Sequence, residues 1–400
     1  MAVDWIQISH YVIAAVMLPV SVLTVKSVIQ NAGTIFDDDL TLKDRGYLKQ
    51  LSFFVILPLI VLFHELGHAV ACKLYHADIV SFNWSLFWGQ VAWKSAASSG
   101  AGEEAPAIIA LAGNLFELAA CLFALILARF EKAPAIVALS IYVYVLTGFH
   151  VLLAYPILSL AAWNDDFSII YGYGKTALPF ALTHILLAAA FIYSFTSSRC
   201  RLAFVKKTRP TWAKDFEKVK EHALSENTAM SYLALAWQYY LVGLDRLCEE
   251  TLKKVESLDQ ENYDVWLLRG YINQSKGKYN SAVLCFEEII GAKVDIVLKT
   301  RALMAKGHCL YEQLLRDAKQ KDFSPVVASY RQAIEGASDL ADPHYYLGVT
   351  LLAQGDSAEA EKELTICQNA QNLRLTWLDP LLANLARQEL GSLRNAQKRK

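Results

Sequence analysis

The chain has 400 residues, 54% of them hydrophobic, with a formal net charge of −1 and seven cysteines. That length admits two or three domains, and the near-zero charge, with no basic cluster interleaved with aromatics, excludes a general nucleic-acid binder. The cysteines are scattered without CxxC spacing, so they read as reduced packing residues rather than a disulfide framework.

Composition divides the chain in two. Apolar runs dominate residues 1–197, and five segments there, near 5–29, 51–74, 106–128, 133–161 and 177–195, are long enough to cross a bilayer. A hydrocarbon core of about 30 Å needs about 20 residues at about 1.5 Å each. The first segment follows Asp4 with no basic residue before it and has no small-residue cleavage pattern, so it reads as a retained span rather than a signal peptide. The predicted fold class is an all-α polytopic membrane domain with a small interfacial β-hairpin, followed by an α-solenoid.

The second segment carries Val61-Leu62-Phe63-His64-Glu65-Leu66-Gly67-His68-Ala69-Val70-Ala71. Positions i and i+4 share a helix face, so His64 and His68 can present imidazole nitrogens to one ion, with Glu65 beside it. Zinc takes two His and a third ligand while leaving a position for water, and Glu65 can accept that water's proton as it attacks a carbonyl. Zn2+ is the expected cofactor and peptide hydrolysis the expected chemistry. An ionisable group at mid-bilayer costs about 3 kcal/mol, so three on one apolar helix need a partner such as a metal.

Residues 79–94 follow. Val80, Phe82, Trp84 and Leu86 alternate with Ser81, Asn83 and Ser85, and the period resumes at Val91 and Trp93 after Gly89, the pattern of a hairpin. Tryptophans favour a membrane interface, and an exposed strand edge can pair with an extended substrate, which makes Trp84 and Trp88 candidate substrate contacts. The third span holds Leu111-Ala112-Gly113-Asn114-Leu115-Phe116-Glu117, where an intramembrane Glu117 should face a protein interior or water. After the fourth span, Asn164-Asp165-Asp166 offers two carboxylates, either of which can complete the ligand set, with Glu117 as a further alternative. His150 and His184 read as packing or hydrogen-bonded residues rather than ligands.

On these motifs, residues 50–172 resemble the site-2 protease family of intramembrane zinc metalloproteases. The His64–His68 motif fits without departure. Family members carry Ala-Gly-Pro-x-x-Asn in the following helix, and Ala112 to Glu117 looks like a variant with Asn114 where Pro is usual and Glu117 where Asn is usual. The family's third ligand is an Asp in a Leu-Asp-Gly context after a proline-containing stretch; Pro156 and Asn164-Asp165-Asp166 look like a version without the Gly. Ile169 and Ile170 favour Asp165, the spacing to Tyr171 suits Asp166, and Asp165 is taken as the ligand. The resemblance implies that His64, His68 and this Asp hold zinc, that Glu65 is the general base, that Gly113, Asn114 and Glu117 lie along the substrate, and that the substrate is a membrane-embedded segment of another protein.

The remaining residues carry internal repeats. Gly243 and Gly277 are 34 residues apart, the period of tetratricopeptide repeats. Trp266, Gly270, Gly277, Tyr279, Ala282 and Phe286 match that repeat's signature, and Leu347, Gly348, Gly355, Ala360 and Leu364 repeat much of it. A weaker unit holds Tyr232, Ala236, Tyr239, Gly243 and Cys248, and another lies around Gly307 to Tyr330 with an insertion near Leu315 to Lys321. The expected organisation is a transmembrane domain over 1–197, a basic linker and lead-in helix over 198–228, a solenoid of about four repeats over 229–375, and a C-terminal helix with a frayed basic tail over 376–400.

Lys and Arg near the span ends fall mainly on the side of the cluster from Arg199 to Arg209, which puts the repeats in the cytoplasm of a multi-pass protein of a bacterial cell membrane. The expected partners are a membrane-protein substrate, the lipid bilayer, and a peptide or protein held by the repeats. The rival expectation is a catalytically lapsed membrane scaffold whose repeats bind partner proteins.

Overall fold

The structure is a computed structural model that describes residues 5–37, 40–94, 104–162, 166–172, 174, 177–316, 322–336, 341–369 and 388–390. The chain forms two compact units, Met1–Glu217 and Lys218–Lys400.

The first unit runs through α1 (Trp5–Gln30), a short α2 (Ala32–Ile35), α3 (Leu42–Leu51), α4 (Leu57–Leu74), β1 (Asp78–Trp84), β2 (Gly89–Lys94), α5 (Ala105–Phe130), α6 (Pro134–Phe149), α7 (Tyr155–Ala162), α8 (Asp166–Gly172), α9 (Ala177–Thr196) and α10 (Ser198–Thr208), and the boundary falls within α11 (Pro210–Glu226). Among the described residues five helical stretches, Val12–Gln30, Lys43–Leu74, Ala105–Phe130, Pro134–Ser159 and Ala177–Thr196, are long and apolar enough to cross a membrane. The outermost of them leave large apolar side chains uncovered, among them Ile29 at 69% and Leu186 at 71% exposed.

Two of these stretches each join two regular helices, because π-helical turns at Ser52–Ile56 and His150–Ala154 splice α3 to α4 and α6 to α7. Each lies just before a proline, Pro58 and Pro156, whose missing N–H would leave the carbonyl four residues earlier without its helical donor. Both carbonyls are rescued by side chains: Ser21 Oγ donates to Phe54 O at 2.6 Å, and His184 Nε2 donates to Leu152 O at 3.1 Å. Prolines that would break isolated helices thus become points where neighbouring helices are tied in.

At the far end of α4 the chain reverses through a left-handed His76, φ 51°, with the Ala77 N–H reaching back to Cys72 O at 2.8 Å. This helix-terminating turn delivers the chain directly into the hairpin. The strands pair antiparallel from Asp78 opposite Lys94 to Trp84 opposite Gly89, with an irregularity at Val80. The turn occupies Ser85 to Trp88, so Gly89 opens the second strand instead of forming the bend. Trp84 Nε1 donates to Pro58 O at 3.1 Å, and Phe87 packs on Phe53 at 5.5 Å between centroids, which pins the turn end of the hairpin against the start of α4 and the π-helical turn before it.

Residues 198–217, expected as linker and lead-in, belong to the first compact unit. The reason is visible in α10, where Lys207 Nζ donates to Ala128 O at 3.0 Å, Arg129 O and Glu131 O at 3.3 Å, satisfying carbonyls that α5 leaves open at its C-terminus.

The second unit stacks antiparallel helix pairs: α12 (Ala229–Leu241) with α13 (Asp245–Leu258), α14 (Asp264–Ser275) with α15 (Tyr279–Gly291), α16 (Ile296–Arg316) with α17 (Ser324–Gly336), and α18 (Ala341–Gln354) with α19 (Ser357–Asn369). This is a tetratricopeptide-like helical repeat domain. Gly243, Gly277 and Gly355 end the first helix of their pairs with φ of 70°, 68° and 98°, values open to glycine at no steric cost. Within the pairs a small residue faces a large one: a Cβ on Gly270, Gly307 or Gly348 would lie 2.6–2.7 Å from atoms of Phe286, Tyr330 or Leu364. The insertion near Leu315 to Lys321 lengthens α16 to 21 residues; residues 317–321 and nearly all of the expected C-terminal segment 376–400 lie outside the described residues.

Candidate metal centre

The site begins with how closely α4 and α5 approach. A Cβ on Gly67 would lie 2.6 Å from Ala112 O, and one on Gly113 would lie 2.8 Å from His64 Nε2 and collide with His68 Nε2. Glycine at these two positions lets the backbones touch and leaves space in front of both imidazoles. α8 supplies the third group, held by Ser159 Oγ, which accepts from Phe167 N at 2.9 Å and Ser168 N at 3.4 Å and so fixes the first turn that carries Asp166.

His64 Nε2, His68 Nε2 and Asp166 Oδ2 converge. The two nitrogens are 3.1 Å apart, and Asp166 Oδ2 lies 3.2 Å from His64 and 3.1 Å from His68. The histidines are 6% and 7% exposed, so water does little to screen this arrangement. Their other ring nitrogens fix the protonation pattern. His68 Nδ1 donates to Ile109 O at 2.7 Å, and a carbonyl can only accept; His64 Nδ1 donates to Glu117 Oε2 at 3.2 Å. With both protons on Nδ1, three lone pairs face one another at 3.1–3.2 Å, a repulsive arrangement unless a cation lies among them. Ligands at about 2.0–2.1 Å around a tetrahedral ion sit about 3.3 Å apart, so the donor set fits zinc in type and spacing.

The carboxylate beside the imidazoles is that of Asp166, the alternative third ligand; the preferred Asp165 lies outside the described residues. Asp165 is favoured by the residues that follow the motif, whereas the position of the Asp166 carboxylate is held by contacts with Asn114 and Tyr155. Glu117 does not complete the ligand set. It sits behind His64 on the Nδ1 side, 1% exposed, and its second oxygen accepts from His150 Nδ1 at 2.6 Å. Asn114 Nδ2 donates to Asp166 Oδ2 at 3.3 Å and to Ala110 O at 3.1 Å, while its buried Oδ1 has no partner among the described residues. Glu65 is 5% exposed and faces the start of β2, where a Cβ on Gly89 would lie 2.6 Å from its Cδ and Oε1. Trp84 anchors the hairpin to α4, and Trp88 is half-buried in the turn.

One participant escaped the sequence, Tyr155, while His150 is the hydrogen-bonded residue expected. Tyr155 OH donates to Asp166 Oδ2 at 3.1 Å, and its ring stacks on His150 at 5.4 Å and 4°. A ring of contacts therefore encloses the cluster, from His64 through Glu117, His150, Tyr155 and Asp166. Its sequence signal was an intramembrane carboxylate, Glu117, that needed a partner on another apolar segment. His184 takes no part in the ligand set: it is bonded to Tyr171 OH and Leu152 O.

An apolar cavity of about 320 Å3 adjoins the centre, lined by Asn114, Leu118, Leu152, Phe167, Phe180 and Leu187 among others. No protein-family model and no curated protein matches the chain. Among solved structures it is similar to the crystal structure of MamA, at 17% identity and a TM-score of 0.33 over 42% of this chain and 92% of that one. It is also similar to the crystal structure of the APC/C hetero-tetramer Cut9-Hcn1, at 12% identity and a TM-score of 0.36 over 87% of this chain and 72% of that one. Neither likeness bears on the chemistry of the centre.

Proposed function

We propose that the chain is a membrane-embedded zinc endopeptidase of the site-2 protease type, cleaving within or beside membrane-spanning segments of other proteins, with a repeat domain that binds a peptide or protein partner and so recruits or gates substrates. One observation carries the proposal: two imidazoles and a carboxylate converge at 3.1–3.2 Å on an apolar helix pair, with both Nδ1 protons directed away from the meeting point.

His64, His68 and Asp166 would hold the zinc ion, which when bound would supply Lewis acidity to a carbonyl and to water. Glu65 accepts the proton of the attacking water and returns it to the leaving amine. Tyr155 and Asn114 hold the Asp166 carboxylate, and Glu117, backed by His150, orients His64. An extended substrate laid along the hairpin passes Glu65, and the unpartnered Asn114 Oδ1 beside the apolar cavity offers an acceptor for its backbone next to a pocket for an apolar side chain. The exposed apolar helices support a bilayer as the surroundings, in which polar groups this deep are retained for function.

The test is metal analysis of the detergent-purified full chain followed by incubation with proteins bearing single transmembrane segments. About one zinc per chain and cleavage abolished by a chelator are expected; a folded chain that takes up no metal would refute the peptidase. The altered motif positions Asn114 and Glu117 and the tetratricopeptide-like fold, a form that exposes grooves for other proteins, favour a second reading: a scaffold whose metal site has lapsed. That reading requires partner capture with no metal and no cleavage.

A further inference from the structure

α3, α6, α9 and α10 surround a cavity of about 560 Å3, distinct from the metal centre and within the 300–1,000 Å3 range of small-ligand sites. Its lining combines apolar Ile141, Val145, Phe195 and Phe204 with Arg45 and Arg201. Tyr142 also lines it, and Lys49 Nζ lies 5.7 Å from that ring's centroid.

The basic side chains of this region divide by whether the fold already uses them. Lys206 is bonded to Glu217 and lies 4.9 Å over the Phe216 ring, and Lys207 caps α5. Arg45 and Arg209 are half-buried and close enough to repel, yet neither is bonded to a carboxylate among the described residues. Burial, together with Arg45, pushes the Arg209 guanidinium below its usual value. Like charges withdrawn from water in this way are destabilising unless an anion offsets them. Guanidinium forks suit a phosphate, and basic pockets between apolar helices suit phospholipid head groups. The apolar wall beside them has no use for a free inorganic ion.

We propose that this cavity binds one anionic phospholipid, its phosphate held by Arg45 on the cavity wall and by Arg209, which follows the lining Thr208, with Arg201 also on the wall and Lys49 beside Tyr142, and its acyl chain against Ile141, Val145, Phe195 and Phe204. The site tethers α3, α6 and α10 through a lipid and is separate from the hydrolytic proposal.

Native mass spectrometry of the full chain in neutral detergent, titrated with phosphatidylglycerol or phosphatidylcholine, tests it. One phosphatidylglycerol should be retained per chain at concentrations where phosphatidylcholine is not. The double variant Arg45→Gln/Arg209→Gln should weaken retention about twenty-five-fold, at about fivefold per cation. Val145→Trp, which fills the cavity and leaves every cation in place, should also abolish retention, whereas Lys132→Gln should leave it unchanged. Equal retention of the two lipids, undiminished retention in both cavity variants, or full displacement of the lipid by millimolar inorganic phosphate would each overturn the proposal, the last by assigning the site to free phosphate.

Discussion

Both units bury histidines beside acceptors, and they do so in opposite ways. In the repeat unit His344 Nδ1 pairs with Glu363 Oε2 at 2.6 Å, and His308 Nδ1 pairs with Tyr330 OH at 2.8 Å while packing 4.1 Å from Tyr346. In these pairs the partners close on each other. In the first unit His64 and His68 use Nδ1 for such closure and turn Nε2 toward each other and toward Asp166. Buried polar groups that satisfy one another stabilise a fold; buried lone pairs left facing one another call for a further proton or a metal ion between them.

The comparison breaks most visibly if the converging set is dispensable. Asp166→Ala and His64→Ala should each reduce bound zinc from about one per chain to a trace, measured by elemental analysis, while Asp165→Ala retains it. Zinc that survives in Asp166→Ala but not in Asp165→Ala would return the third ligand to Asp165. Glu65→Gln should keep the metal and lower turnover by about 10²–10⁴, the range for losing a general base, read as cleavage rate at saturating substrate. Equal loss of zinc in that variant would mean that Glu65 holds the site together instead of moving a proton.

Glu117→Gln and His150→Ala sharpen the comparison from the outer side. Each should weaken zinc affinity by about 10–100-fold in a chelator competition, because the proton on His64 Nδ1 loses its charged acceptor or that acceptor loses its own support. In the repeat unit, Gly270→Ala forces a Cβ against the Phe286 ring and should cost about 1–3 kcal/mol in a urea titration followed by tryptophan fluorescence, with zinc content unchanged.

The smallest effect concerns pH. Burial pushes His308 down to about 4, so its ring stays neutral in the fold while the unfolded chain takes up a proton near 6.5. Its contribution is therefore nil above pH about 6.5, destabilising progressively as pH falls toward about 4, and constant below. Urea midpoints between pH 7.5 and 4.5 should slope less in His308→Gln than in the parent chain; identical slopes would assign the loss to other groups.

Some of this was legible because it is local. The i, i+4 spacing of His64 and His68 puts two ligands on one helix face whatever surrounds it, and the alternation over 79–94 specifies a two-stranded hairpin. The glycines at 243, 277 and 355 mark left-handed helix ends because few other residues adopt that conformation cheaply. The partnerships of Glu117 were not legible, since His150 lies 33 residues away and an apolar segment carries no period that says which neighbour a polar group meets. The role of Gly89 was not legible for a related reason: it marks a close approach to Glu65, which only the packing of the hairpin on α4 decides.

The sequence by itself determined the helical and hairpin periods, the repeat register and two members of a metal-binding set, since each depends on residues within a turn or two of one another. Only the tertiary structure decided that Asp166 faces them, that Glu117 stands behind His64 rather than beside the ion's place, and that residues 198–217 pack with the first unit. These depend on how closely α4 and α5 approach, how α8 packs on α5 and which carbonyls α5 leaves open, and such distances are fixed by packing between segments that the linear chain keeps far apart.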